Sequence, residues 1–172
     1  MSNVKAVREL FTSHNVPFQR TQYASREFQG ESRSKIKGSV VVYEKVATGS
    51  HTPLGDRLVV IDFTLYDKHG NQERFLLGED ELESFESATT EFFRILEERT
   101  ALPESVARVN TTIRTADNAS LCVTTHPDDA CRIWLQKDGV VVVIGSTAFV
   151  QFVAEFKKQI VDIGLTRFFG EE

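Results

Sequence analysis

The sequence predicts an α+β protein made of two β-β-β-β-α repeats, in which antiparallel sheets pack on amphipathic helices, plus a short helix at the N-terminus. Apolar residues alternate along several short segments, as expected for strands with one buried face. Each group of strands is followed by apolar residues at three- and four-residue steps, as expected for a helix. The predicted division of one compact domain is 1–30 for the N-terminal helix and an extended segment, 31–102 for the first repeat and 103–172 for the second.

The first half of the chain begins with a helical spacing, continues with β-rich segments and ends in an acidic helix. Residues 30–38 and 47–56 have the polar, glycine-containing composition of loops. Glu79, Asp80 and Glu81 stand in the first turn of the second helix, where the helix dipole favours acids. The predicted elements are a helix at 3–13, an extended segment at 16–28, strands at 37–46, 57–66 and 74–77, and a helix at 79–98.

The second half repeats this order of strands followed by a helix. Asp138-Gly139 is a strong signal for a two-residue hairpin turn, and HPDD at 126–129 also suits a turn. Gly164 is predicted to stand just past the end of the last helix, a position that glycine favours. The predicted elements are strands at 107–115, 119–125, 131–137 and 140–144, and a helix from 146 or 147 to 163.

The two halves can be overlaid on each other. Residues 62–96 align with 131–163, and a Lys-His-Gly turn in one half matches a Lys-Asp-Gly turn in the other. Identity between the halves is low. A repeat of structure is one interpretation, and the alternative is that a hairpin followed by a helix is simply a common arrangement.

Composition argues against several classes of protein. Hydrophobic residues make up 41% of the 172 residues, a fraction typical of a globular chain. No apolar run approaches the roughly 20 residues of a membrane span, and the first residues lack the apolar core of a signal peptide. Two cysteines without a CxxC spacing predict neither a disulfide scaffold nor a structural zinc site. We therefore expect a cytoplasmic protein, with association with a nucleoid as an option, and no contact with a membrane.

Charge is distributed unevenly along the chain. The net charge is −5, but residues 1–60 hold nine Lys or Arg against five Asp or Glu, whereas residues 61–105 hold four against twelve. An acidic total argues mildly against adhesion to nucleic acid by charge alone, and it leaves room for a local basic face.

The sequence contains no recognisable catalytic or metal-binding motif. The four histidines have no metal-ligand spacing, and no GKS or GKT follows the glycine-containing loop at 49–56. We therefore expect a protein that is not an enzyme and that uses no metal and no cofactor.

The faces of the predicted strands indicate a binding function. Ile133 and Leu135 alternate with Arg132 and Trp134, so the only tryptophan and an arginine fall on the face opposite the core. Bases of single strands stack on Trp, Tyr and Arg, while Lys and Arg bind phosphates. The alternative for Trp134 is packing against a neighbouring subunit or a helix. The predicted nucleic-acid-binding residues are Lys35, Lys37, Tyr43, Lys45, Tyr66, Lys68, Arg74, Arg108, Arg114, Arg132, Trp134 and Lys137.

The stretch VVIDFTLYDKHGNQERFLLGEDELESFESATTEFFRIL (59–96) combines a hairpin, a glycine and an amphipathic helix. It resembles the superfamily of single-stranded nucleic-acid-binding proteins that includes Positive Cofactor Four, Pur-alpha and Whirly proteins, and the resemblance extends over roughly residues 34–164. It implies outward-facing sheets with helices packed between or behind them. It also implies a non-enzymatic role in transcription, replication or recombination, and self-association as a dimer or tetramer.

A second hypothesis is a protein–protein adaptor or inhibitor, for example a mimic of nucleic acid, that uses the acidic face of the helix at 79–98. The placement of charge discriminates between the two, because a nucleic-acid interface needs one continuous positive surface and an inhibitor a continuous acidic one. An enzyme is the third possibility, and the sequence offers no candidate triad or metal set for it.

Overall fold

The computed structural model describes the backbone of residues 3–12, 17–50, 52, 54–55, 57–84, 86–87, 90–91, 94, 109–126 and 129–170. Side chains are described for the same residues except 109–111, 123–126, 129–131, 146 and 164–170. The predicted α+β class is confirmed, because the chain forms two antiparallel sheets, a short N-terminal helix and a C-terminal helix.

The elements follow one another in two runs of strands, each ending in a helix. Helix α2 comprises the helical residues 79–84, 86–87, 90–91 and 94. The other elements are α1 (Asn3–Thr12), β1 (Phe18–Gln22), β2 (Arg26–Gln29), a 3₁₀ turn (Glu31–Arg33), β3 (Lys35–Lys45), β4 (Leu58–Tyr66), β5 (Gln72–Gly78), β6 (Val109–Arg114), β7 (Ser120–His126), β8 (Asp129–Lys137), β9 (Val140–Gly145) and α3 (Ser146–Gly170).

The first sheet has the order β1-β3-β4-β5, and β2 also pairs with β3. The 11-residue strand β3 is long enough to hold both short strands along one edge. Phe18 of β1 pairs with Lys45 at one end of β3, and Phe28 of β2 pairs with Ile36 at the other. The segment that we predicted to be extended, before the first repeat, therefore forms two strands, and both belong to the first sheet.

The second sheet is a meander of four neighbouring strands, β6-β7-β8-β9. The predicted hairpin turn is present, since Asp138 and Gly139 both have positive φ, at 48° and 85°. This combination characterises the two-residue turn that matches the twist of antiparallel strands. The register pairs Trp134 with Val143 and Leu135 with Val142.

Three predicted boundaries are corrected. β3 begins at Lys35, so only residues 30–34 of the predicted loop lie outside strands. β7 extends to His126 and β8 begins at Asp129, and these two residues pair with each other, so the strands include both ends of the predicted HPDD turn, whose two central residues lie outside the described residues. Gly164 does not end a helix, because α3 continues to Gly170. One glycine inside a helix costs only about 1 kcal/mol relative to alanine, which a long packed helix tolerates. The predicted boundary at 102/103 lies outside the described residues.

One hydrophobic core is shared by both sheets and α3. Alternate residues of β3, β4, β7, β8 and β9 point into it, as the two-residue period of a strand requires. Three phenylalanines of α3 are fully buried there, Phe149, Phe152 and Phe156. Phe152 stacks on Phe63 of β4 with ring centroids 5.1 Å apart, and Phe156 meets Phe63 edge to face at 5.3 Å. These contacts fix α3 against the first sheet.

Gly38 of β3 makes room for this aromatic packing. A Cβ atom at Gly38 would stand 2.4 Å from the ring of Phe63 and 2.9 Å from the ring of Phe156. Both rings are fully buried and cannot swing aside. The close approach of backbone and rings therefore depends on the missing side chain.

A second, smaller cluster lies on the opposite face of the first sheet. Val4, Val7 and Leu10 of α1 pack there against Val41 and Tyr43 of β3, together with Val60 of β4 and Leu76 of β5. The first sheet is therefore covered on both faces at this end. Among the described residues, no helix is both long and apolar enough to cross a membrane.

Asp117, in the turn between β6 and β7, joins the second sheet to the first. Its carboxylate accepts a hydrogen bond from the Leu76 backbone N–H at 2.7 Å and two from the Arg8 guanidinium at 2.8 and 2.9 Å. Lys137 Nζ donates to the Arg74 carbonyl oxygen at 2.7 Å from the same side. These contacts fix the turn to β5 and α1.

We expect Gly38→Ala to destabilise the protein by about 1–3 kcal/mol, because the added methyl group overpacks the aromatic cluster. Urea unfolding followed by circular dichroism measures the change. Gly145→Ala is the matched control, since a Cβ at that strand position meets nothing within 4 Å. Equal free energies of unfolding for the two variants would contradict the packing described here.

Candidate nucleic-acid interface

The predicted site residues belong mostly to the outer faces of the two sheets, the faces turned away from the shared core. On the first sheet this face carries Lys35, Lys37, Tyr43 and Lys45 of β3, which alternate with the buried Ile36 and its neighbours. On the second sheet it carries Arg132 and Trp134 of β8, which alternate with the buried Ile133 and Leu135. The two faces differ in what covers them.

Helix α1 covers half of the outer face of the first sheet. Tyr43 is only 3% exposed, whereas we predicted that it lies on a solvent-exposed face of its strand. Its ring meets Phe11 of α1 edge to face, with centroids 5.6 Å apart, and Phe18 of β1 at 6.0 Å. Its hydroxyl accepts a hydrogen bond from Arg20 Nε at 3.2 Å. Tyr43 is therefore a core residue and presents no face to a base.

Lys35 and Tyr66 form a compact group on the uncovered half of this face. They are direct partners across β3 and β4, and Lys35 Nζ lies 5.0 Å from the centroid of the Tyr66 ring. Lys35 also forms an ion pair with Glu27 at 2.8 Å. The hydrogen bond between them lowers the pKa of the Glu27 carboxyl and raises the pKa of the Lys35 ammonium. The Tyr66 ring and the Lys35 charge are therefore already partnered.

Arg74 is partnered in the same way. Its guanidinium forms an ion pair with the Asp62 carboxylate, and Arg20 lies 3.7 Å from the same carboxylate. The hydrogen bond that Arg74 donates to Asp62 raises the pKa of the Arg74 guanidinium. Arg74 therefore contributes to a local ion network on the first sheet.

The outer face of the second sheet, which we call the open face, is differently built. Its central cross-strand row consists of Thr112, Cys122, Trp134 and Val143. The next row brings Arg114, Ser120, Gln136 and Val141 together, and Arg132 lies beside Gly145 on the other side of Trp134. Thr112, Arg114, Arg132, Trp134 and Gln136 are exposed.

Trp134 is 38% exposed in the middle of this row. Within the described part of the chain, no other ring or cation packs on its indole. No protein-family model and no curated protein matches this chain.

A cleft of about 360 Å³ opens beside Trp134, at the edge of the open face. Trp134, Val141 and Val143 form one side of it. The opposite side comes from the first half of the chain, through the 3₁₀ turn and the turn between β4 and β5. The residues that line this Trp134 cleft from that side are Glu31, Ser32, Ser34, Asp67, Lys68 and His69.

The 3₁₀ turn that lines the cleft has a strained backbone and is stabilised by hydrogen bonds. Ser32 and Arg33 have positive φ values of 55° and 66°, a conformation that costs a non-glycine residue about 1–3 kcal/mol. Three hydrogen bonds close the turn. Gly30 N–H donates to the Ser34 carbonyl at 2.8 Å, and the Ser34 N–H and hydroxyl donate to the Glu31 carbonyl at 3.0 and 2.6 Å. A Cβ on Gly30 would stand 2.8 Å from the Val143 carbonyl oxygen, so the turn lies directly against β9.

The remaining predicted cations differ in their exposure and in their partners. Lys37, Lys45, Lys68 and Arg114 are exposed. Arg132 is exposed and forms an ion pair with Glu31 at 3.5 Å. Lys137 lies between the sheets, with 15% of its side chain exposed. Arg108 lies outside the described residues. The structure therefore brings Trp134, Arg132 and Lys68 together and leaves the cations of the first sheet apart from them.

Sequence reasoning missed Glu31, Ser34 and His69 as neighbours of Trp134. GESRS at 30–34 has the composition of any polar loop, and nothing in it indicates contact with a strand more than a hundred residues away. In the described residues, no cluster of three or more His, Cys, Asp or Glu could hold a metal ion.

The acidic side chains of α2 form a separate surface. Asp80, Glu83, Glu86 and Glu91 line an open groove, together with Lys157 of α3. Lys157 Nζ donates a hydrogen bond to Glu86 at 2.7 Å. One lysine faces four acids here, so the groove is net negative.

Trp134 fluorescence tests the geometry of the open face, because the chain has a single tryptophan. We expect acrylamide to quench the fluorescence of the folded protein substantially, although less than that of the protein unfolded in urea, since 38% of the residue is exposed. Quenching as weak as that of a fully buried indole would show that the face is covered in solution.

Proposed function

We propose that this protein binds single-stranded nucleic acid, DNA or RNA, on the open face, with Trp134 as the stacking platform. The single observation that carries the proposal is the half-exposed indole at the centre of a sheet face, with Arg114 and Arg132 on the adjacent rows. Stacking of a base on an aromatic side chain contributes about 1–3 kcal/mol. An exposed indole flanked by guanidinium groups offers both interactions that a single strand uses.

The ion pair at Arg132 does not oppose this function. Arg132 and Glu31 each have 48% of the side chain exposed and stand 3.5 Å apart. Exposed ion pairs of this kind contribute about 0–1 kcal/mol. A phosphate can therefore replace Glu31 as the partner of Arg132 at little cost. Cys122, the cross-strand partner of Trp134, and the nearby Ser120 have short side chains, which leave room for a strand beside the indole.

The proposal extends to the cellular role that the sequence predicts. It includes a non-enzymatic role in transcription, replication or recombination, in the cytoplasm or on a nucleoid. It also includes a repeated sheet–helix architecture of the Positive Cofactor Four, Pur-alpha and Whirly kind, and assembly into a dimer or tetramer. In each half an antiparallel sheet, of five strands in the first half and four in the second, is followed by a helix, and this shared order supports this part of the proposal.

Trp134→Ala tests the proposal by fluorescence anisotropy with a labelled single strand. With a strand of about 30 nucleotides at low salt, we expect the Kd of the variant to rise about 5- to 150-fold, the loss of one stacked base. The logarithm of the affinity should fall with the logarithm of salt concentration by about 0.7 for each phosphate contact. Tyr23→Ala is the matched control, because Tyr23 is also 38% exposed and lies outside the open face. Equal binding by both variants, or no binding of the unaltered protein, would overturn the proposal.

A second candidate function is the binding of a basic protein in the acidic groove of α2. The observation that favours it is the net negative groove of Asp80, Glu83, Glu86 and Glu91. Several cations of the first sheet are, in addition, already paired with acids. A protein that adapts or inhibits a basic partner would use this surface.

Poly-lysine tests the acidic groove. If the groove is the working surface, the protein binds poly-lysine at low salt, and the double variant Glu83→Gln, Glu91→Gln weakens binding several-fold. Glu27→Gln is the control, because Glu27 is an acid of the first sheet that pairs with Lys35 and lies outside the groove. Equal weakening by the control would indicate a general charge effect with no defined surface.

A further inference from the structure

The Trp134 cleft is a fixed recess rather than a gap between mobile loops. The 3₁₀ turn is held against β9 at Gly30, where even a methyl group would not fit. In the turn between β4 and β5, which also lines the cleft, Asp67 accepts hydrogen bonds from the backbone N–H groups of His69 and Asn71, each at 2.9 Å. Both turns that face Trp134 are therefore held in one conformation by their own hydrogen bonds.

The lining of the cleft combines a flat apolar side with a carboxylate. Trp134, Val141 and Val143 supply the apolar side, and Glu31 stands opposite, within reach of Arg132. An apolar recess with a few well-placed polar groups is typical of a site for a small planar group. The cleft lining carries two carboxylates, of Glu31 and Asp67, and one ammonium group, of Lys68, so its net negative charge disfavours entry of the phosphate backbone.

A nucleobase matches this chemistry. Its ring stacks on the indole, and its exocyclic amino group donates to a carboxylate, the interaction by which Glu and Asp accept from cytosine N4. Adenine and guanine also carry amino groups. Thymine and uracil have a carbonyl oxygen where cytosine has the amino group, and their single N3–H donor lies between two carbonyl oxygens that repel a carboxylate.

We infer that the Trp134 cleft is a base-recognition pocket, in which Glu31 selects a base with an exocyclic amino group over thymine or uracil. The inference rests on the proposed function and adds to it a preference among bases. Entry of the base also changes the partners of Glu31 and Arg132 at the edge of the cleft. Glu31 accepts from the amino group, and Arg132, released from Glu31, binds a phosphate of the same strand.

Oligo-dC and oligo-dT of about 12 nucleotides, a length within the site size of single-strand binders, test the inference. Anisotropy at neutral pH should give oligo-dC at least a five-fold lower Kd than oligo-dT, the lower end of what one specific base contact discriminates. In Glu31→Gln this ratio should fall close to one, because the amide both donates and accepts hydrogen bonds. The ratio is the correct readout, since release of Arg132 raises the affinity for both strands alike.

Glu27→Gln is the control, because it removes an ion-paired acid of the first sheet without touching the cleft. It should keep the ratio of the unaltered protein. If both strands bind the unaltered protein equally and Trp134→Ala weakens both, the pocket is overturned and the proposed function stands. If Glu31→Gln leaves the ratio unchanged, the selection does not come from Glu31, and the inference is overturned. If neither strand binds, the proposed function and the pocket fall together.

Discussion

The packing of the α3 phenylalanines against the first sheet is the constraint on which the rest of the structure depends. Phe152 and Phe156 lie on Phe63, and this approach is possible only because Gly38 has no side chain. Since α3 also contacts β8 and β9, the same helix determines which face of the second sheet is buried. Ile133 and Leu135 are taken into the core. In a strand, the intervening side chains must then face outward, so the exposure of Trp134 follows from the register of β8.

The electrostatics of the surface favour stacking over charge as the main source of affinity. The chain has a net charge of −5, and Lys35, Arg74 and Arg132 each have a carboxylate partner. A strand that approaches these three cations must displace an acid at each one, which reduces the gain from those phosphate contacts. Stacking on the indole itself displaces no ring or cation of the described residues. A binding mode centred on Trp134 is therefore the one that this charge distribution permits.

The sequence predicted the parts of the fold that depend on local pattern, and missed those that depend on distant packing. Alternation in β8 and the Asp138-Gly139 turn are local, and both are present. The burial of Tyr43 depends on α1, which packs on the outer face of the first sheet. A signal for it existed, because residues 40–43 are all apolar, so this part of β3 has no polar face, as in strands that are covered on both sides. The approach of the 3₁₀ turn to β9 has no comparable signal, since it joins segments more than a hundred residues apart.

The two sheets show why an aromatic residue on an outer face is not sufficient for a binding site. Tyr43 is covered by α1, and Tyr66 is only half-buried but already has Lys35 over its ring. Lys35 in turn pairs with Glu27, so a base that stacked on Tyr66 would have to displace two interactions. Trp134 has the larger ring and, within the described residues, no ring or cation already packed on it. Of the predicted aromatic positions, Trp134 alone offers a ring face on which a base could stack without displacing a ring or a cation of the described residues.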